Sequence, residues 1–248
     1  MSNKAIIWTI SGADCSGGAG IAADIKTGHC LDVEVCHLIT ANTVQNSTQL
    51  LTVNPVDVDI LAAQAEALYQ DKRPMAVKIG LIANEHQLKW LVTLLSQLKA
   101  EFPHLTVVYD PVGQASVGGD LSSLSFAQLL PLFPLVDVLT PNLLEAQQLV
   151  SQSKTNATLT GTDIDIDIDE NVAKLADHIA ELGSKHIIIK GGHRDSSSCT
   201  DYGYTAGTLS AIKLLASVLP RILVMVAVAV LLRRWLVFSL MAICLETL

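Results

Sequence analysis

Polar residues that could bind a ligand follow several short apolar runs of this sequence. The first run, residues 6–10, leads into a loop with four glycines between positions 12 and 20, and a helix start follows at Ile21. A strand, a glycine-rich loop and a helix together direct backbone N–H groups and the positive helix end at an anion or a polar ligand. The stretch is therefore a candidate binding site, and a glycine-rich turn without a ligand is the simpler alternative.

Two known phosphate-binding motifs do not fit the spacing of this loop. A Walker A motif needs Lys followed by Ser or Thr after its last glycine, but Gly17 is followed by Gly18 and Ala19. A Rossmann fingerprint begins directly at the end of its strand, but Gly18 lies seven positions beyond Ser11. Both motifs are excluded on these grounds.

Apolar runs alternate with stretches of helical spacing along most of the chain. This alternation predicts strands at 6–10, 33–40, 75–80, 105–109, 136–140 and 186–190, and helices from 21 and at 58–69, 85–98 and 171–182. A polar loop is predicted at 41–47. Strands separated by helices are typical of a parallel α/β sheet that is covered on both faces. Such sheets bind ligands beyond the carboxyl ends of their strands, where Asp110, Asn142 and Lys190 are expected.

The composition restricts the classes of protein that fit. The 248 residues suit one large domain, and the pI near 5.2 and net charge of −8 argue against nucleic acid as a partner. The five cysteines show neither metal-ligand spacing nor a disulfide framework, and the N-terminus shows no secretory signal, so a cytoplasmic location is expected. The acidic run 163–170 is interpreted as a solvated linker before a helix rather than as a metal site.

The stretch 11–27 closely resembles the substrate loop of the hydroxymethylpyrimidine/phosphomethylpyrimidine kinases of the ribokinase-like superfamily. It reads Ser-Gly-x-Asp-x-Ser-Gly-Gly-Ala-Gly-Ile-x-Ala-Asp-x-Lys-Thr. Further matches are Asp-Pro-Val at 110–112, Asn-x-x-Glu at 142–145 and Lys-Gly-Gly-His at 190–193. The resemblance extends from residue 6 to about residue 204. It implies a three-layer α/β/α sandwich with a mostly parallel sheet.

The resemblance also implies an activity, which is ATP- and Mg²⁺-dependent phosphorylation of 4-amino-5-hydroxymethyl-2-methylpyrimidine and then of its monophosphate. It places five residues at the pyrimidine substrate: Gly12, Asp24, Gln45, Gly80 and Val112. It places five at the nucleotide: Asp110, Asn142, Glu145, Lys190 and Gly192, with Asp110 and Glu145 also serving the magnesium ion. Gln45 carries both an amide donor and an acceptor, which suits the edge of an aminopyrimidine.

Two alternatives to this activity stay open. Pyridoxine and pyridoxal kinases of the same superfamily also act on a hydroxymethyl group of an aromatic ring, although Gln45 favours the pyrimidine. A non-catalytic protein that binds a pyrimidine or a nucleotide is the alternative from a different class. The resemblance leaves a homodimer open.

The last residues depart from the family pattern. We predict an incomplete kinase domain at 1–213 and an aberrant tail at 214–248, because the net charge changes from −10 to +2 and the tail contains no glycine. Each apolar run of the tail, 222–232 and 235–245, has 11 residues, whereas a membrane span needs about 20. A membrane anchor is therefore not expected.

The tail is instead interpreted as a frameshifted catalytic segment. The family continues with a segment near His-Gly-Ser-Gly-Cys, whose backbone amides form the anion hole and whose cysteine stands at the catalytic position. Codons for that segment, read one base late, encode Met-Val-Ala-Val-Ala, which is the sequence at 225–229. We therefore predict a frameshift between about 204 and 225, and no residue of this chain is assigned as catalytic.

Overall fold

A computed structural model describes residues 4–113, 118–153, 168–190, 198–205 and 208–215. Strands and helices alternate through most of these ranges, as the sequence predicts. A 3-10 helix, Leu130–Leu135, directly follows the short helix Phe126–Leu129. The elements are β1 (Ile6–Ala13), α1 (Gly20–Cys30), β2 (Glu34–Gln45), β3 (Leu50–Pro55), α2 (Val58–Asp71), β4 (Ala76–Ile79), α3 (Glu85–Glu101), β5 (Thr106–Tyr109), α4 (Phe126–Leu129), β6 (Val138–Leu139), α5 (Leu143–Ser153), α6 (Ile168–Ala180), β7 (His186–Ile189), β8 (Ser198–Thr205) and β9 (Thr208–Leu215).

The nine described strands form one sheet in the order β3-β2-β1-β4-β5-β6-β7-β8-β9. Strands β2, β1, β4, β5, β6 and β7 pair in parallel, whereas β3, β8 and β9 join the two edges in antiparallel pairs. The chain first moves outward from β1 to β2 and then returns to add β4 on the other side of β1. This change of direction leaves a crevice beyond the carboxyl ends of β1 and β4, which is where open α/β sheets bind their ligands.

The two faces of the central strands differ because side chains alternate along a strand. Trp8 of β1 and Val77 of β4 are fully buried in the main core, together with Leu61 of α2 and Leu91 of α3. The core continues under α5 and α6. Burial of such aliphatic and aromatic side chains contributes about 1.5–3 kcal/mol each.

The opposite face of β1 and β4 is covered by α1 and is partly polar. Thr9 and Lys78 are paired across β1 and β4, and both reach Asp24 of α1. Helix α1 therefore forms one layer against the sheet, and α2, α3, α5 and α6 form the layer on the other side. This is the three-layer α/β/α arrangement with a mostly parallel sheet that the sequence predicts.

The prediction of a polar loop at 41–47 is wrong over most of its length. Strand β2 continues to Gln45 and pairs in an antiparallel hairpin with β3, a strand that the sequence patterns do not indicate. Ala41 and Thr43 are buried while Asn42 and Val44 are exposed, so the stretch alternates as a strand does. The polar Thr43 is buried and donates to the Ala13 carbonyl, whereas the apolar Val44 is exposed, so the sequence lacks the usual alternation of a strand and looked like a loop.

Two predicted features lie largely outside the described residues. Of the acidic run 163–170, only the start of α6 is described, from Ile168. Strand β9 runs to Leu215 and residues 216–248 lie beyond it, so the domain boundary at 213 stays a prediction. Within the described ranges, no helix combines the length and apolar character needed to cross a membrane.

Candidate active site

Four of the predicted site residues follow the carboxyl ends of parallel strands in the middle of the sheet. Gly80, Asp110 and Lys190 directly follow β4, β5 and β7, and Asn142 follows β6 after Pro141. Because these strands are parallel, their carboxyl ends point the same way and the side chains that follow them become neighbours. Backbone contacts confirm this proximity, since the Lys190 N–H donates to the Pro141 carbonyl at 2.8 Å and Lys190 forms a bridge with Asn142.

Asp110 and Lys190 form an ion pair at this edge. The Lys190 Nζ donates to Asp110 Oδ1 at 2.7 Å, and both side chains are about three-quarters buried. Burial acts to lower the pKa of the Lys190 ammonium, but the carboxylates of Asp110 and Glu145 outweigh it and the pKa is raised. Lys190 therefore keeps its positive charge, and it lies near the carboxyl groups of Asp110 and Glu145.

Asn142 and Glu145 form a reciprocal cap at the start of α5. The Asn142 N–H donates to Glu145 Oε2 at 2.7 Å, and the Glu145 N–H donates to Asn142 Oδ1 at 2.8 Å. This is the geometry of a capping box, in which two unsatisfied helix N–H groups are paired by side chains. The Asn-x-x-Glu pattern thus has a local structural role whatever else it does.

Glu145 differs from an ordinary capping residue in its surroundings. Burial raises the pKa of its carboxyl to about 7, even though Lys190 and the Asn142 N–H favour the ionised form. The Asp110 carboxylate adds to the rise. A buried carboxyl with a strongly shifted pKa beside charged partners in a cleft is a candidate for function.

The two carboxylates fit a magnesium ion that arrives with a nucleotide. Mg²⁺ prefers oxygen ligands and is commonly held by one or two carboxylates together with substrate phosphates. Among the described residues, no group of three or more His, Cys, Asp or Glu side chains could hold a metal by itself. A magnesium ion bound by Asp110 and Glu145 would therefore take most of its ligands from the phosphates of the nucleotide.

Asp24 lies on α1, against the polar face of β1 and β4. Its side chain is 6% exposed, and its Oδ2 accepts hydrogen bonds from the Thr9 hydroxyl and, at 2.8 Å, from Lys78 Nζ. Its Oδ1 is buried and has no hydrogen-bond partner among the described residues. A buried ion pair costs desolvation energy and is weak evidence for stability, which makes this arrangement a candidate for function.

The glycine loop, defined here as residues 14–19, directs its N–H groups at a side chain of its own. Asp14 Oδ1 accepts from the Ser16 N–H at 2.8 Å and from its hydroxyl at 2.7 Å. Asp14 Oδ2 accepts from the N–H groups of Gly18 at 3.0 Å and Ala19 at 2.9 Å. These amides are therefore paired with Asp14, and the expectation that they face an anion or a polar ligand stays a prediction.

Gln45 lies beside this loop at the end of β2. Its backbone carbonyl accepts from Cys15 Sγ at 3.0 Å. The side-chain amide of a glutamine carries both a donor and an acceptor for a ligand.

Gly12 and Gly80 allow close packing between β1, β4 and the loops that follow. A Cβ at Gly80 would overlap the Ser11 hydroxyl, and one at Gly12 would approach the Leu81 side chain to 2.8 Å. Val112 lies in the turn after β5, and its N–H donates to the Asp110 carbonyl at 2.8 Å. These residues determine how the backbone continues at the carboxyl ends of β1, β4 and β5.

The structure thus brings together Asp110, Asn142, Glu145 and Lys190, and it places Gln45 at the glycine loop. Gly192 lies outside the described residues. The sequence interpretation missed the roles of Asp14, Thr9 and Lys78. Lys78 carried a readable signal, since a lysine within the apolar strand 76–79 is unusual for a strand that is buried on both faces.

The sequence matches a known family over most of its length. A family model described as phosphomethylpyrimidine kinase matches residues 14–216. Hydroxymethylpyrimidine/phosphomethylpyrimidine kinase from Haemophilus influenzae is 34% identical over 207 residues, which cover 82% of this chain and 71% of the relative. The protein of the same description from Bacillus subtilis is 37% identical over 190 residues, which cover 75% of this chain and 64% of the relative.

The fold is similar to those of solved kinases with two different substrates in their descriptions. A phosphomethylpyrimidine kinase from Clostridium difficile superposes with a TM-score of 0.69 at 28% identity, covering 90% of this chain and 91% of that one. A pyridoxal kinase from Staphylococcus aureus, solved with ADP, gives a TM-score of 0.69 at 28% identity, covering 86% of this chain and 73% of that one. The overall fold by itself does not separate these two substrates.

Proposed function

The chain belongs to the phosphomethylpyrimidine kinase family, and we propose that its lineage activity is ATP-dependent phosphorylation of 4-amino-5-hydroxymethyl-2-methylpyrimidine and then of its monophosphate. The observation that carries this proposal is the cluster of Asp110, Glu145 and Lys190 at the carboxyl ends of the parallel strands. This cluster suits a magnesium-nucleotide, and the family resemblance places Gln45 and Asp24 at the neutral heterocycle. We further propose a cytoplasmic location and leave a homodimer open.

At the nucleotide end, the protein residues provide charge and position. Lys190 lies where it can bind a phosphate oxygen once Asp110 turns from it to a metal ion. Magnesium bound by Asp110 and Glu145 would neutralise charge on the phosphates. The transferring phosphoryl group requires positioning and electrostatic stabilisation, and little covalent chemistry is required of the protein.

At the acceptor end, the residues orient the heterocycle. The amide oxygen and the amide N–H of Gln45 match an amino group and a ring nitrogen on one edge of a pyrimidine. The Asp24 carboxylate offers a further acceptor. Phosphoryl transfer joins the hydroxymethyl oxygen to the γ-phosphorus, releases ADP and sets free the hydroxyl proton.

We also propose that this chain binds ligands weakly and does not turn over. Residues 193–248 contain no Gly-x-Gly followed by Cys or Asp, so the family's anion-hole loop is missing from this sequence. Donors aimed at the transition state matter greatly, since the loss of one such donor costs about 10²–10³ in rate. On this proposal, the chain would be a non-catalytic remnant that binds a pyrimidine or a nucleotide.

The test is transfer of labelled phosphate from ATP to hydroxymethylpyrimidine, with a frame-restored chain as the control. That chain is made by shifting the reading frame upstream of Met225 so that the His-Gly-Ser-Gly-Cys segment is encoded. We expect transfer by the restored chain and a rate at least about 100-fold lower for the 248-residue chain. Rates within tenfold of each other would contradict the proposed inactivity.

A pyridoxal kinase is the second candidate, because the S. aureus pyridoxal kinase structures resemble this chain as closely as the pyrimidine kinase does. The frame-restored chain distinguishes the two by steady-state kinetics with each substrate. Loss of the contact to Gln45 is expected to disfavour pyridoxal by about 1–3 kcal/mol. Equal or faster turnover of pyridoxal would replace the pyrimidine assignment.

A further inference from the structure

A buried ion pair lies between α1 and the polar face of β1 and β4. Lys78 Nζ donates to Asp24 Oδ2 at 2.8 Å, and the two side chains are 12% and 6% exposed. The hydroxyl of Thr9, which is paired with Lys78 across the two strands, donates to the same carboxylate oxygen. Apolar side chains of similar volume are often as stabilising as a buried ion pair, so stability alone does not explain these charges.

The two oxygens of the Asp24 carboxylate are used unequally. Oδ2 accepts from both Thr9 and Lys78, whereas Oδ1 is buried and has no hydrogen-bond partner among the described residues. An ionised carboxylate has about four acceptor positions, and a buried acceptor without a partner is uncommon in folded proteins. Oδ1 is therefore an acceptor that the described part of the chain leaves for a donor from elsewhere.

The pair lies at the carboxyl end of β4, beside Gly80. A Cβ at Gly80 would approach Lys78 Nζ to 3.2 Å and would overlap the Ser11 hydroxyl. That hydroxyl accepts from the Leu81 N–H at 3.3 Å and so joins the end of β1 to the turn after β4. The crevice beyond β1 and β4 is where an open α/β sheet binds its ligand. The buried charges are thus placed next to the expected ligand and not in the apolar core on the other face of the sheet.

We propose that Lys78 and Thr9 are positioning residues of the heterocycle site, which occupy Asp24 Oδ2 and leave Oδ1 to accept from an N–H group of the ligand. An ionised carboxylate accepts hydrogen bonds and donates none, so the ligand class that fits is a neutral heterocycle with an amino group. This inference rests on the proposed function for the identity of that heterocycle. Lys78 acts through Asp24 and is not a catalytic residue.

The test replaces the pair while the stability of the fold is retained. Lys78→Met with Asp24→Leu puts apolar side chains of similar volume in place of both charges, and its Tm is expected to lie within about 5 °C of that of the parent. Lys78→Met with Asp24→Asn differs in that it retains an acceptor oxygen at position 24. Lys89→Met, which breaks the exposed pair with Glu85, is the control for the loss of a lysine.

Calorimetry measures the binding of 4-amino-5-hydroxymethyl-2-methylpyrimidine and, separately, of Mg-ATP, for the 248-residue chain and for the frame-restored chain. We expect Lys78→Met with Asp24→Leu to bind the pyrimidine at least about tenfold more weakly than the parent, because a hydrogen bond to a charged group is lost. The variant with Asp24→Asn is expected to lie between the two. The affinity for Mg-ATP is expected to stay close to that of the parent, since the cluster of Asp110, Glu145 and Lys190 is unchanged.

Several outcomes would overturn the proposal. Parent-like pyrimidine affinity in the variant with Asp24→Leu, or equal affinity in the two double variants, would show that Oδ1 is not the acceptor. A parallel loss of pyrimidine and Mg-ATP affinity, or a Tm far below that of the parent in both double variants, would show that the pair serves the fold. Failure of the proposed function is seen separately, as a frame-restored parent that itself binds no pyrimidine, and the inference then fails with it.

Discussion

Glu145 combines two tasks in one side chain, since it caps α5 and faces Asp110 and Lys190. A carboxyl whose pKa is raised in the folded state binds its proton more tightly there than in the unfolded chain. Its contribution to stability is therefore complete below its ordinary value near 4.5 and is lost as the pH rises through about 7. At neutral pH, the ionised Glu145 carboxyl therefore lowers the stability of the protein without ligand.

Substitution Glu145→Gln is expected to remove this cost while keeping the cap, because the amide oxygen can still accept from the Asn142 N–H. The variant is expected to be more stable than the parent by roughly 1–3 kcal/mol at pH 8 and about equally stable at pH 5. Urea unfolding at the two pH values measures the difference. A stability change that is the same at both pH values would show that the Glu145 carboxyl does not titrate in this range.

Lys78 is the second residue whose environment predicts a large effect. Substitution Lys78→Met leaves the buried Asp24 carboxylate with the Thr9 hydroxyl as its remaining partner, and we expect a loss of about 3–5 kcal/mol in the free energy of unfolding. Lys89→Met breaks the exposed pair with Glu85 and is expected to change stability by less than about 0.5 kcal/mol. The double variant Lys78→Met with Asp24→Asn should recover most of the loss, and no recovery would argue against the ion pair as its cause.

At the scale of elements, Gln87 joins the β2–β3 hairpin to α3. Its Oε1 accepts from the Ala83 N–H at 3.0 Å, and its Nε2 donates to the carbonyls of Thr40 at 2.7 Å and Val56 at 2.8 Å. The side chain is 2% exposed, so solvent cannot replace these bonds when they are lost. Gln87 thus adds a buried side-chain link to the attachment that the hairpin has through the pairing of β2 with β1.

Substitution Gln87→Ala is expected to cost about 2–4 kcal/mol, because the Ala83 N–H and the Val56 carbonyl lose their bonds to its side chain and the Thr40 carbonyl loses one of two. Hydrogen exchange should accelerate at the Val56 N–H, which donates to the Thr40 carbonyl at 2.8 Å. Gln70→Ala removes an exposed pair with Glu66 and is the matched control. Equal exchange rates in the two variants would contradict this role of Gln87.

For the whole molecule, the tail is the feature with the largest expected consequence. Residues 214–248 are largely apolar and lack glycine, and apolar sequence of this kind favours association between chains when it is not buried. We therefore expect the 248-residue chain to express poorly or to aggregate, and the frame-restored chain to be soluble. Size-exclusion chromatography and thermal melting measure this, and a monomeric, cooperatively melting 248-residue chain would show the expectation to be wrong. The stability measurements above are accordingly made on both chains.

The sequence alone determined the architecture and the positions of the chemistry. Apolar runs such as 105–109 and the helical spacing of 85–98 follow directly from which residues must be buried, so these elements could be placed within a few residues. The sequence patterns did not indicate β3, α4, α5, β8 or β9. Because β5, β6 and β7 are parallel, Asp110, Asn142 and Lys190 then lie together at the carboxyl ends of these strands. The family resemblance added the substrate class, which no spacing could supply.

Only the tertiary structure decided which polar groups form hydrogen bonds or ion pairs, and with which partners. Ala41 to Gln45 looks like a loop until its pairing with β3 shows which side chains face solvent. Asp14 and the Gly18 and Ala19 amides are close in sequence, but only the folded loop shows that the carboxylate takes them. Asp24 and Lys78 are 54 residues apart, and their pairing depends on α1 covering the polar face of β1 and β4. Hydrogen bonds and burial depend on distances in space, which the spacing of residues along the chain does not specify.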